Sequence, residues 1–145
     1  MSKRTLNAIR RKIHKHFSLH GLKEDHAEPL DHILTVSAVI ADPCYCAPDL
    51  KGNLHQHFFV NIKEILEGDK NLVDNNTVFV AVHYGDEEGL KEPLPGIEPG
   101  KPIIIRGKFV RAADAYKTVD NPGYPVLHFT HHPIGYIEYD GVRYE

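Results

Sequence analysis

The sequence predicts an α+β protein, mainly β: an N-terminal amphipathic helix, a small barrel of five strands and a C-terminal hairpin. Three observations carry this. Residues 3–20 hold one apolar stripe at helical spacing. Residues 32–132 contain five runs in which apolar and polar positions alternate. Asp140-Gly141 is a two-residue turn signal between two short runs.

A chain of 145 residues is most simply one domain, 1–145, with a helix over 1–21 and a barrel over 32–145. It has no apolar run long enough for a signal sequence or a bilayer span, so a cytoplasmic protein without membrane contact is expected. Cys44 and Cys46 stand one residue apart and suggest no disulfide framework. The net charge of −3 is unevenly spread. Lys3, Arg4, Arg10, Arg11, Lys12 and Lys15 give the first 20 residues +6 with no acid, which leaves −9 on the remainder. An acidic body argues against tight, sequence-independent nucleic-acid binding, which needs many Lys and Arg contacts to phosphate. The basic arm is either a phosphate-contacting element or a solvated helix face.

In the helix, Leu6, Ile9, Ile13 and Phe17 form the stripe, with Arg4, Arg11 and Lys15 opposite. Ser2 is placed to cap the start and Gly21 to stop it. Residues 32–41 read as the first strand, with Leu34, Val36, Ala38 and Ile40 on one face. Residues 42–53 read as a loop, with two prolines and a glycine. The second strand, 55–62, puts Phe58, Val60 and Ile62 on one face and His55, His57, Phe59 and Asn61 on the other. The third, 77–83, turns Val78, Val80 and Val82 inward and Phe79, Ala81 and His83 outward.

Residues 84–100 form a long acidic loop, and a loop of that length is usually functional or mobile. The fourth strand, 102–111, is interrupted by Gly107, which suggests a bulge or bend. The fifth is 125–132, followed by a hairpin of 136–139 and 142–145. Five strands, one central Gly and long uneven loops suggest a Greek-key barrel of OB type. The competing fold is an immunoglobulin-like sandwich, which wants about seven strands.

Several short motifs follow one another: His55-Gln56-x-Phe58, Pro99-Gly100-x4-Ile105-x-Gly107, His128-Phe129-Thr130-His131-His132, and Gly135-x-Ile137-x3-Gly141-x-x-Tyr144. Together they make residues 32–145 resemble a family of short bacterial proteins of unknown function. Its signature is a His-aromatic-Thr-His-His stretch before a Gly-hydrophobic hairpin. The resemblance implies an OB-like fold and recurrent histidines at His55, His128, His131 and His132, and it implies no activity. The chain departs from the pattern after the last histidine, where Pro133 stands in place of an Asp. The Cys44-x-Cys46 loop and the 84–100 loop look like additions.

In an OB order, strand 2 pairs with strand 3, and strand 3 runs parallel to strand 5. His55 and His57 then lie beside His83. His128, Thr130 and His132 share one face of strand 5, opposite Leu127, Phe129 and His131. His55, His57, His83, His128, His131 and His132 are therefore the candidate metal ligands, and Zn or Ni is the cofactor that neutral imidazoles suit. Three histidines with an open position would activate water. The bland alternative is a set of hydrogen-bonded surface histidines. Cys44-x-Cys46 with His55-x-His57 offers four donors, at a spacing that matches no standard zinc module.

Phe59 and Phe79 point outward on neighbouring strands, where OB domains stack single-stranded nucleic acid, and Arg106 and Lys108 are the candidate phosphate contacts. The alternative is that these rings seat the helix stripe. No nucleophile elbow, phosphate loop or dinucleotide fingerprint is present. The leading expectation is a binding module, not an enzyme, for single-stranded nucleic acid or another anion. The runner-up is a histidine-rich divalent-metal protein, with metal-dependent hydrolysis as its chemistry. A third is an interaction domain using the basic helix. If the stripe docks, Ile13→Ala lowers stability by about 2–4 kcal/mol in urea unfolding, and an unchanged midpoint would mean an undocked helix.

Overall fold

Seven strands make one sheet, in the order β1-β2-β3-β5-β4-β6-β7, and a further pairing of β1 with β4 closes the first five into a barrel. The strands are β1 (Ile33–Pro48), β2 (Leu54–Glu67), β3 (Thr77–Tyr84), β4 (Pro102–Val110), β5 (Val126–His128), β6 (Tyr136–Tyr139) and β7 (Val142–Tyr144). The computed structural model describes residues 32–48, 54–115, 117–118 and 120–145. The expected helix lies outside the described residues, as do the side chains of Cys44 and Cys46. Among the described residues, no helix is long and apolar enough to cross a membrane.

The alternation read from the sequence sets the interior. Leu34, Val36, Ala38 and Ile40 of β1, Phe58 and Val60 of β2, and Val78, Val80 and Val82 of β3 are at most 1% exposed. Ile103, Ile105 and Phe109 of β4, Leu127 of β5 and Ile137 of β6 belong to the same cluster. Each such aliphatic or aromatic side chain contributes roughly 1.5–3 kcal/mol by leaving water. Both the β1–β2 and the β2–β3 pairs are antiparallel. β3 and β5 run parallel, as the expected order requires.

Four details differ from the sequence reading. β1 does not stop at residue 41: its backbone runs to Pro48, pairing there with β2 alone. Prolines are tolerated in a strand that has no second neighbour to which it must donate. There is no bulge at Gly107, because β4 pairs with β1 without a shift from Pro102 to Lys108. The irregularities lie between β1 and β2, whose register slips at four places between Thr35 and Tyr45.

The 84–100 loop is packed. Leu90 and Leu94 join the barrel core. The inward Gln56 side chain holds Leu94, donating from Nε2 to its carbonyl at 3.1 Å and accepting its amide at 2.7 Å. Finally, β5 ends at His128, because Phe129 adopts φ 53°. That reversal sends Phe129 to the outer cluster with Phe79, Ala81, Val110, Ala115 and Val126 instead of inward with Leu127.

Gly107 marks a close approach. β5 takes residues 108–110 of one β4 edge and β6 takes 104–106, so the chain passes from one to the other beside residue 107. A Cβ there would stand 2.5 Å from the His128 carbonyl oxygen and 3.0 Å from Thr130 Cγ2. Gly107→Ala is expected to cost about 1–3 kcal/mol in urea unfolding, as overpacking does; an unchanged midpoint would show that the crossing can withdraw.

Candidate functional site

The outer face of the barrel carries a row of basic side chains across four strands. On β2 and β3, His55 pairs with His83, His57 with Ala81 and Phe59 with Phe79. On the other side of β3, Val80 pairs with Leu127, which sets His128 one step further along β5. On β4, Lys108 pairs with His128. Adjacent strands stand about 4.7–4.9 Å apart, so β2 and β5 flank β3 at roughly twice that distance. The His55 and His128 rings are nevertheless 6.0 Å apart.

The row is buried. His55 is 1% exposed, His83 5%, His128 3% and Lys108 2%. The His55 ring lies 6.2 Å from that of His57 and 4.8 Å from that of His83. Beyond His83, the His131 ring is 6.0 Å away. The structure therefore gathers His55, His57, His83 and His128, with Lys108 beside them and His131 at the margin. His132 is exposed. Among the described residues, no three His, Cys, Asp or Glu donors are grouped so as to hold a metal ion.

A hydrogen-bonded chain runs through the cluster. Asp86 Oδ2 lies 2.7 Å from His83 Nε2, and His83 Nδ1 lies 3.2 Å from His55 Nε2. A carboxylate only accepts, so His83 carries its hydrogen on Nε2. Which ring donates between His83 Nδ1 and His55 Nε2 is set by the tautomers of the two rings.

Asp86 is itself held by its turn, accepting the Glu88 amide at 2.9 Å and the Gly89 amide at 3.3 Å. Burial acts to raise its carboxyl pKa, but the Glu88 amide, the His83 ring and the Gly89 amide outweigh it and hold the group below the ordinary value. Gly89 lets the turn close, since a Cβ there would stand 2.6 Å from His83 Cδ2. The turn is anchored by the Leu90 amide donating to the His83 carbonyl at 3.0 Å.

The expected aromatic and cationic contacts are placed unevenly. Phe59 and Phe79 meet edge to face at 5.4 Å, and Tyr124 meets Phe59 at 5.3 Å. Phe79 is 7% exposed and Phe59 is half-buried, so Phe59 offers more surface. Arg106 stands apart from the cluster. Its Nε donates to the Ile134 carbonyl at 3.1 Å, and its Nη1 lies 3.3 Å from both Thr35 Oγ1 and Glu67 Oε1.

Sequence reasoning missed Asp86, Gly89 and Asp120. The signal for the first two was present as His83-x-x-Asp86-x-x-Gly89, an acid and a turn-forming glycine just beyond an outward histidine. Asp120 Oδ2 lies 3.7 Å from His57 Nδ1, a pairing set by the fold alone.

The chain was compared with protein-family models, with curated proteins and with solved structures, and it matches none of them.

Burial holds the His57 pKa below 6.5, with Asp120 pulling the other way. Between those values the unfolded chain binds more protons than the folded one, so stability rises with pH. The contribution is present above pH 6.5 and is lost as pH falls through the folded value. His57→Gln is expected to shrink the difference between urea midpoints measured at about pH 7.5 and about pH 5.5. An equal difference in the variant would mean that His57 is not the titrating group.

Proposed function

We propose that the chain is an OB-like binding module for an anionic ligand, with single-stranded nucleic acid as the ligand class. The observation that carries this is the row His55, His83, His128 and Lys108 across the outer face, 1–5% exposed. A barrel's outer face is ordinarily solvated or covered by apolar packing. A buried set of groups able to carry positive charge gains most from a bound anion, since charges interact more strongly away from water. Asp86 and Asp120 meet the row through His83 and His57.

The OB assignment is supported by the order β1-β2-β3-β5-β4, closed through β1–β4, and by the parallel β3–β5 pair. The motif resemblance supports the same module. Phe59 supplies the stacking surface next to the row. Arg106 already donates to Glu67 and to the Ile134 carbonyl, and the basic arm of residues 3–15 adds six further positive charges.

Titration of a labelled single-stranded oligonucleotide by fluorescence anisotropy tests this. Binding is expected at low salt, weakening steeply as salt rises because phosphate contacts release counterions. Phe59→Ala is expected to weaken it by about tenfold, within the roughly 1–3 kcal/mol of one stacked base. Loss on removing residues 1–16 with full retention in Phe59→Ala would move the interface to the arm. No binding at low salt would remove the reading.

A further inference from the structure

We propose that Tyr124 and Phe59 form a seat for one unpaired base, that Asn121 holds Tyr124 in it, and that Lys117 takes the adjoining phosphate. This rests on the single-stranded nucleic-acid reading above and deepens it by naming where the strand is held.

The register places the two rings. Phe59 of β2 pairs with Phe79 of β3. On the other side of β3, Val126 pairs with Phe79, and the Phe79 amide donates to the Pro125 carbonyl at 2.9 Å. The chain therefore enters β5 tied to Phe79, and Tyr124 immediately precedes the tie. Its ring centroid lies 5.3 Å from that of Phe59, with the two planes 74° apart. Both residues are half-buried, so part of each still meets solvent. A flat ligand parallel to one ring is then nearly perpendicular to the other. The pair is a corner, in which one base stacks on one ring and sets its edge against the second.

The turn that carries Tyr124 is fixed from inside. Asn121 is 2% exposed. Its Oδ1 accepts the Tyr124 amide at 2.8 Å and the Gly123 amide at 3.4 Å, and its Nδ2 donates to the Tyr124 carbonyl at 2.8 Å. The Asn121 amide donates to Thr118 Oγ1 at 3.0 Å, and the Thr118 amide donates to the Asn121 carbonyl at 2.9 Å. Asn-Pro-Gly is turn chemistry, and here the Asn side chain grips the following tyrosine at both ends of its backbone. A ring positioned before its ligand arrives lowers the ordering cost of binding.

Charge completes the seat. A Cβ on Gly123 would stand 3.6 Å from Lys117 Cε, so the lysine reaches along the turn to the residue next to Tyr124. Lys117 is exposed, whereas Lys108 is 2% exposed. The nearby carboxylate of Asp120 lies 3.7 Å from His57 Nδ1. A phosphate beside the seated base thus meets an ammonium already in water, and no buried imidazole has to be uncovered. A flat ring joined to a phosphate is what a nucleotide offers.

Fluorescence anisotropy of the full chain with a labelled oligothymidylate tests this. Tyr124→Ala is expected to weaken binding about tenfold, as loss of one stacked base does, and Tyr124→Phe is expected to retain it. Combining Phe59→Ala with Tyr124→Ala should weaken binding by less than the product of the single losses, because both rings hold the same base. Asn121→Ala should weaken binding in the wild-type background and change nothing in the Tyr124→Ala background. That pattern marks a positioning residue, since a general loss of stability would act in both. Lys117→Ala should flatten the salt dependence by about one phosphate contact.

An affinity unchanged by Tyr124→Ala would overturn the seat and leave the binding module standing. Were that variant also to melt at a lower temperature, the rings would instead be a seat for this chain's own residues. Losses that multiply in the double variant would mean two separate bases, which would overturn the shared corner. No binding by the wild type at low salt would remove the seat and the module together.

Discussion

The pairing of β1 with β4 is the constraint on which the rest depends. It turns a sheet into a barrel and so gives every strand an inside and an outside. Once that is set, the period of two assigns each side chain. Residues such as Val80 and Ile105, each 0% exposed, have no alternative to the interior. Their neighbours His83 and Lys108 are forced to the outer face. The histidine row is thus a consequence of closure, and its members are brought together by strands far apart in sequence.

Parallel pairing of β3 with β5 adds the second half of the arrangement. It brings the His-aromatic-Thr stretch next to β3, which carries His83 one residue before its end. Imidazoles buried on such a face must find hydrogen-bond partners, since each unsatisfied group costs roughly 1–3 kcal/mol. The turn of Asp86 to Gly89 supplies one partner for His83, and His55 supplies the other. The polar chain is in this sense a requirement of the burial.

Much of the fold was legible because the strands are half-buried. The alternation of β2 and β3 set the faces of His55, His57 and His83 correctly from spacing alone. The extension of β1 was not legible. Pro43 and Pro48 read as loop signals, and only pairing with β2 overrides them. The outward turn of Phe129 was hidden as well, because φ 53° is unusual for a residue other than glycine and no spacing announces it. The close approach at Gly107 looked like a bulge, since a glycine in a strand serves either purpose. In the site, the histidines were visible by count. Asp86 was not, because its role is set by a turn folding back on His83 and not by any periodic pattern.

The central claim is that the outer-face imidazoles form a buried cluster with a His83–His55 hydrogen bond at its centre. Modification with diethyl pyrocarbonate, followed residue by residue by mass spectrometry, measures this most directly. His132, which is exposed, should react first. His55, His83 and His128 should react about tenfold or more slowly, because the reagent must wait for the face to open. Equal rates at all four residues would contradict the account.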